Sequence, residues 1–353
     1  MKRLISLFFM LTLLLAVQAC ADLGDEEVDA SEVATEEVAT EEVAAEEAAT
    51  EEAVSTEVPV EVIEGAVCVD VTGPIIESVN AVSESDGGSE TVLEETPLVT
   101  YVVSGDEISD PALETVPSEL EDQQLDEATQ QQVWEYYAAL IPAENRDTIV
   151  EYSVFTDGVD NTLAMVTQTK TDPAAWSLQV DIADTANYYS LTYTLVHEYG
   201  HLLTLGPDQV TPSEAVFNDP ENVDVLNEEV AACPDYFPGE GCSNPDSYIN
   251  AFYNQFWTEI YEENQEISYE QDPDLNQQML TEFYDKYQDQ FVTEYAATNP
   301  EEDITESWAF FVLGDNPTGD SIADQKVLFF YNYPELVELR SAILGNLCTA
   351  FPQ

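Results

Sequence analysis

The sequence predicts an α+β protein: a small sheet in its N-terminal half, one active-site helix, and a mainly helical C-terminal part. Three observations lead there. Short β-branched stretches at 148–155, 162–169 and 176–182 follow one another closely, in the length and composition of strands. The segment around 191–203 then repeats its apolar residues at helical spacing and holds both of the chain's two histidines. Beyond it, helical patterns recur at 247–262, 275–287, 301–313 and 322–347.

From the N-terminus, residues 1–20 place Lys2 and Arg3 before an apolar run at 4–17 that is short for a bilayer span, which reads as an export signal. The run ends in Val17-Gln18-Ala19-Cys20, which resembles the lipobox of bacterial lipoproteins, although Leu followed by a small residue is the usual pair at the first two positions. Lipidation of Cys20 is expected, with plain cleavage after Ala19 as the alternative. Residues 21–60 carry a five-residue quasi-repeat (EVATE, EVATE, EVAAE) built almost only from Glu, Ala, Val and Thr. Such a segment cannot bury enough surface to fold alone and reads as a disordered acidic tether. Residues 61–124 read as a small β-rich N-terminal region, with valine-rich stretches at 66–72 and 97–103 around a polar loop at 83–90, or as decorations on the catalytic domain. Residues 125–353 read as that catalytic domain, opening with a helix at 127–140, and about 230 residues suffice for a substantial core. The strand at 176–182 is expected to line the cleft.

Formal charge is −66, from 73 acidic against 7 basic residues. Phosphate binding needs clustered Lys and Arg, so nucleic acid is excluded as a partner. The excess either draws in cationic peptides and divalent ions or simply solvates the surface, and the second is the commoner origin of a uniform bias. With Cys20 lipidated, Cys68, Cys233, Cys242 and Cys348 remain, an even number for an oxidising compartment. Three pairings are possible. Cys233 with Cys242 around a Pro/Gly-containing loop, and Cys68 with Cys348 near the two ends of the folded region, are favoured. No C-x-x-C supports a thiolate zinc site.

The histidines fall in His197-Glu198-Tyr199-Gly200-His201, an H-E-x-x-H. On a helix, residues four apart share a face, so His197 and His201 can present two imidazole nitrogens to one metal ion. Glu198, about a hundred degrees round, can reach a metal-bound water as a general base. Leu191, Thr192, Leu195, Tyr199, Leu202 and Leu203 form the opposite, core-facing side, and Gly206-Pro207 supplies the stop. A catalytic zinc ordinarily has three protein ligands and a water, and there is no third histidine. Thr204 and Pro207 stand where the extended H-E-x-x-H-x-x-G-x-x-H pattern would need Gly and His. The third ligand must be another residue type.

Downstream, Asn299-Pro300 reads as a helix start, after which Glu302 and Glu306 share one face while Ile304, Trp308, Phe311 and Val312 point away. At Tyr295, Glu302 and Glu306, together with the H-E-x-x-H, the chain resembles the anthrax lethal factor-like zinc metallopeptidases, a gluzincin group. The resemblance implies a zincin-like catalytic domain with sheet before active-site helix, Glu302 as third zinc ligand, Glu306 orienting a ligand histidine, and Tyr295 near enough to steady the transition state. It covers mainly these two windows; the long insertion holding Cys233 and Cys242 departs from the family, and no toxin domain is recognisable. Two other readings stay open. Asn299-x-x-Glu302 also matches a capping box, with Glu301 and Glu306 as fallback ligands, and Tyr295 can be an ordinary core residue among 18 tyrosines.

The expected protein is therefore a zinc-dependent peptidase, secreted or on the cell surface as a bacterial membrane lipoprotein. Its expected cofactor is Zn2+ and its expected partners are a peptide or protein substrate and, through the lipid, a membrane; a monomer is expected. The rival expectation is a non-catalytic acidic surface lipoprotein that binds divalent metal or a protein partner.

Overall fold

The computed structural model describes residues 71–84, 95–159 and 162–352. The export signal, Cys20, the acidic tether and Cys68 lie outside the described residues. The first element is a helix, α1 (Thr72–Glu84), where the sequence pattern points to a strand end and a polar loop. Pro74 sits in its first turn, where a missing N–H costs nothing, and Ile75 is fully buried. Strands β1 (Thr96–Ser104) and β2 (Glu107–Leu113) come next, then α2 (Glu121–Gln124) and α3 (Glu127–Leu140), whose cap residue Asp126 accepts the Thr129 N–H. After these lie β3 (Ile149–Thr156), β4 (Ala164–Gln168), β5 (Trp176–Asp181) and α4 (Tyr188–Leu205).

Among the described residues these strands form one mixed sheet in the order β2-β1-β3-β5-β4. β1 and β2 thus extend the sheet of the catalytic region and do not stand apart as a separate one. β3 and β5 pair in parallel and every other neighbour is antiparallel. β2 is an edge strand, almost wholly exposed and holding Pro111, a residue that only an edge tolerates. The sheet packs on α3 and α4 through Trp134, Tyr137, Tyr152, Leu178 and Leu195, all nearly or fully buried.

After α4 the chain runs through β6 (Val210–Pro212), α5 (Glu214–Asn218), α6 (Val223–Ala232) and β7 (Gly241–Ser243), with β6 and β7 paired antiparallel. The remainder is helical: α7 (Tyr248–Phe256), α8 (Tyr261–Ser268), α9 (Pro273–Tyr287), α10 (Pro300–Leu313), α11 (Ile322–Phe329) and α12 (Pro334–Ala350). The single helix expected over 322–347 is two, because Pro334 cannot continue the first and instead opens the second. The pattern at 247–262 likewise divides into α7 and the start of α8. Cys233 and Cys242 form the expected disulfide. Cys348 is also disulfide-bonded, while Cys68, the partner expected for it, lies outside the described residues. No helix among the described residues is long and apolar enough to cross a membrane.

Candidate metal centre

Helix α4 begins where Asn187 accepts the Tyr189 N–H and ends at Gly206, whose N–H bonds the Leu202 carbonyl. Its core side is as expected: Leu191, Thr192, Leu195 and Tyr199 are at most 1% exposed. Its other side meets α10. A Cβ at Gly200 would stand 2.6 Å from Thr305 Cγ2 and 3.0 Å from Trp308 Cδ1, so only glycine lets the two backbones approach this closely. α10 starts at Asn299, whose side chain accepts the Glu302 N–H at 2.8 Å. It is anchored on its far side by Asp303, which is wholly buried with Lys326 at 2.5 Å and accepts the Trp257 indole N–H at 2.7 Å.

This packing brings two sequence-distant windows together. Glu302 Oε2 lies 3.1 Å from His197 Nε2 and 3.4 Å from His201 Nε2, and one donor atom from each residue lies within 4.8 Å of the others. Nitrogen and oxygen ligands held tetrahedrally at about 2.0–2.1 Å sit roughly 3.3 Å apart. The three residues are spaced to hold a metal ion, and all three are largely buried. Only the backbone half of the capping box needs the helix terminus; the carboxylate Oε2 turns to the histidines. Glu301, one fallback, instead accepts the Tyr236 hydroxyl at 2.6 Å. Glu306, the other, faces the back of His197.

The supporting groups decide which ring nitrogen is available. His197 Nδ1 stands 2.8 Å from Glu306 Oε1, a close electrostatic contact whose alignment falls short of an in-line hydrogen bond. Glu306 is held by Tyr193, which donates to Oε1 at 2.9 Å, and Thr293, which donates to Oε2 at 2.5 Å. A carboxylate only accepts, so Nδ1 carries the proton and Nε2 keeps its lone pair for a metal. His201 Nδ1 lies 3.3 Å from Thr305 Oγ1, whose single proton goes to the Glu301 carbonyl. The hydroxyl must therefore accept from Nδ1–H, and again Nε2 is left free for an ion. Tyr193, Thr293 and Thr305 were not anticipated from sequence. Tyr193 was findable, being one helical turn before His197.

Charge at the centre is set by the same contacts. Burial disfavours a charged His197, but Glu302 and Glu306 outweigh it and hold its pKa well above the ordinary value; Glu302 raises His201 against burial likewise. Burial would lift the Glu302 carboxyl, yet His201 and His197 hold it well below the usual range. The surroundings favour positive charge at this point. Glu198 is pushed up to about 7 by burial, with the two histidines opposing, and the Val166 backbone N–H of β4 reaches its carboxylate.

His197, Glu198, Tyr295 and Glu302 open on a cleft of about 1860 Å3, larger than the usual small-molecule pocket and able to take an extended chain. The strand along it is β4, whose flanking residues Thr162, Leu163, Thr169 and Lys170 line it, and not β5 as expected. β5 is covered on both edges by β3 and β4, whereas β4 leaves one edge free to face the cleft. Tyr295 stands 45% exposed with its ring 5.9 Å from that of His197, and its hydroxyl bonds Glu302. It is a cleft residue and not part of the core. Of the aromatic residues at 248–261, Phe252 and Trp257 are fully buried, but Tyr253 and Tyr261 line the cleft.

No protein-family model matches the chain, and neither a curated protein nor a solved structure does.

Proposed function

We propose that the protein is a zinc-dependent metallopeptidase with a zincin-like catalytic domain of the gluzincin type, exported and held at a membrane surface by lipid on Cys20. The observation that carries this reading is the convergence of His197 Nε2, His201 Nε2 and Glu302 Oε2, with Glu198 beside them, on a cleft sized for a polypeptide. Two neutral imidazoles and one carboxylate are a donor set suited to catalytic zinc, which binds three protein ligands and keeps one position open. When bound there, zinc supplies Lewis acidity and brings the pKa of a water to near 7.

The chain's own residues do the rest. Glu198, with a pKa of about 7, is poised to accept a proton from an attacking water and deliver it to the leaving amine near neutral pH. Tyr295, held protonated by burial and by Glu302, has a hydroxyl to donate to the oxygen of the scissile carbonyl as charge builds there. The free edge of β4 offers backbone groups to an extended substrate, as strand addition requires. Glu306, Tyr193, Thr293 and Thr305 hold the ligand rings in orientation.

The test is Glu198→Gln against wild type on a peptide library, with cleavage read by mass spectrometry and zinc by elemental analysis. The variant should keep its zinc and lose hydrolysis; residual turnover above about one per cent would sink the general-base assignment.

A further inference from the structure

The insertion between α4 and α10 does more than bridge two helices. Its loop Cys233-Pro-Asp-Tyr-Phe-Pro-Gly-Glu-Gly-Cys242 is closed by a disulfide and clamped on β6 through the β6–β7 pairing. Gly241 lies so close to the Thr211 carbonyl that a Cβ would collide with it, and the Glu240 carbonyl accepts the Ser213 N–H at 2.9 Å. The backbone of Glu240 is therefore fixed, and its side chain enters the cleft. The residue as a whole is only partly buried, but its Oε2 is shut off from solvent and has no hydrogen-bond partner. Leaving a buried carboxylate oxygen unpaired is costly, which marks the place as one that a ligand completes.

The neighbourhood shows which ligand. Glu301 lines the same cleft at 3% exposure, with one oxygen fixed by the Tyr236 hydroxyl, and its charge acts on Glu240. Burial and that charge push Glu240 up to about 8, as expected of a carboxyl lacking a counter-charge. The described cations are engaged elsewhere: Arg146 with Asp106, Lys286 with Glu263, Lys326 with Asp303, and Arg340 with the Phe311 carbonyl. Lys170, exposed beyond β4, forms no ion pair with either glutamate. Aromatic faces complete the surroundings: Tyr236 stacks on Tyr253 at 4.2 Å and meets Tyr261 edge-on at 5.6 Å, and all three line the cleft. Carboxylates beside aromatic faces suit an organic cation. A second metal ion fits less well, because among the described residues only His197, His201 and Glu302 assemble three ligands.

Resting on the peptidase reading, we propose that Glu240 and Glu301, walled by Tyr236, Tyr253 and Tyr261, form a subsite for a cationic group of the substrate. That group is a lysine or arginine side chain, or a free N-terminal amine, bound within a residue or two of the scissile bond because Glu301 directly precedes the metal-facing Glu302.

The test is binding, measured by calorimetry on the full zinc-loaded chain carrying Glu198→Gln so that nothing is cleaved. Three peptide sets are compared: N-acetylated with one internal Lys or Arg, the same with norleucine or citrulline there, and uncharged side chains with a free N-terminus. Hydrogen bonds to a charged group predict at least about tenfold tighter binding of one cationic set over the neutral one. The preferred set tells side chain from terminus. Adding Glu240→Gln should erase the preference, and the peptide comparison decides the matter even if that variant fails to fold. Equal affinity for all three sets overturns the subsite. Hydrolysis by the wild type is scored separately: cleavage with equal affinities refutes the subsite alone, and a tenfold preference without cleavage refutes the peptidase reading alone.

Discussion

Replacing Glu306 separates a carboxylate that tunes the metal centre from one that merely fills space. It is 3% exposed and touches three polar groups: His197 Nδ1 at 2.8 Å, Tyr193 Oη at 2.9 Å and Thr293 Oγ1 at 2.5 Å. Glu306→Gln keeps the shape and an acceptor for Tyr193, and the Thr293 hydroxyl can turn to accept from the new amide. What is lost is the charge behind His197. A charge-assisted hydrogen bond contributes about 1–1.5 kcal/mol more than a neutral one, so zinc affinity should fall about tenfold. Glu306→Ala also strands three buried polar groups and should fall about a hundredfold, near 2.8 kcal/mol, the upper end for residues that orient a metal-ligating histidine. The assay is competition for zinc against a chromophoric chelator, with folding checked by circular dichroism. Both variants within twofold of wild type would refute the reasoning and leave His197 oriented by packing alone.

The packing around the centre yields two further outcomes. Gly200→Ala forces a methyl against Thr305 and Trp308; the overpacking should cost about 1–3 kcal/mol, seen as a melting temperature lower by roughly 2–10 °C, with weaker zinc binding because α4 and α10 each carry ligands. A melting point within one degree of wild type would contradict the close approach. Asp181, buried against Asp157, has its carboxyl pushed up to about 7 by that burial. A carboxyl raised in the folded state stabilises most below its ordinary value near 4, and that stability is lost as pH rises through 7. With zinc chelated, urea midpoints of wild type should therefore fall relative to Asp181→Asn between pH 5 and pH 8, and parallel pH profiles would count against it.

The features legible in the sequence are the local ones. The spacing of His197, Glu198 and His201, the Asn299 cap and the positions of Tyr295, Glu302 and Glu306 lie within single helical segments, where periodicity acts directly. α3 falls where its pattern placed it, and β3, β4 and β5 do so within two residues. Thr293 and Thr305 were not legible, since neither threonine is distinctive until α4 and α10 dock across more than a hundred residues of sequence. β2 was invisible for a different reason: an exposed edge strand carries no alternation, and its Asp-Pro pair reads as a turn. α1 was hidden by its composition, because Ile75, Ile76 and Val79 are β-branched and come after a Gly-Pro pair, and burial against α4 and α10 overrides that preference. Glu240 was unreadable as a site residue, being one of 73 acidic residues until the disulfide loop places it in the cleft.

The most direct measurement is zinc per chain in the purified protein, with Glu302→Ala prepared and dialysed alongside. The account predicts close to one zinc in the wild type and a marked loss in the variant. No zinc in either, or equal zinc in both, would contradict a centre built from His197, His201 and Glu302.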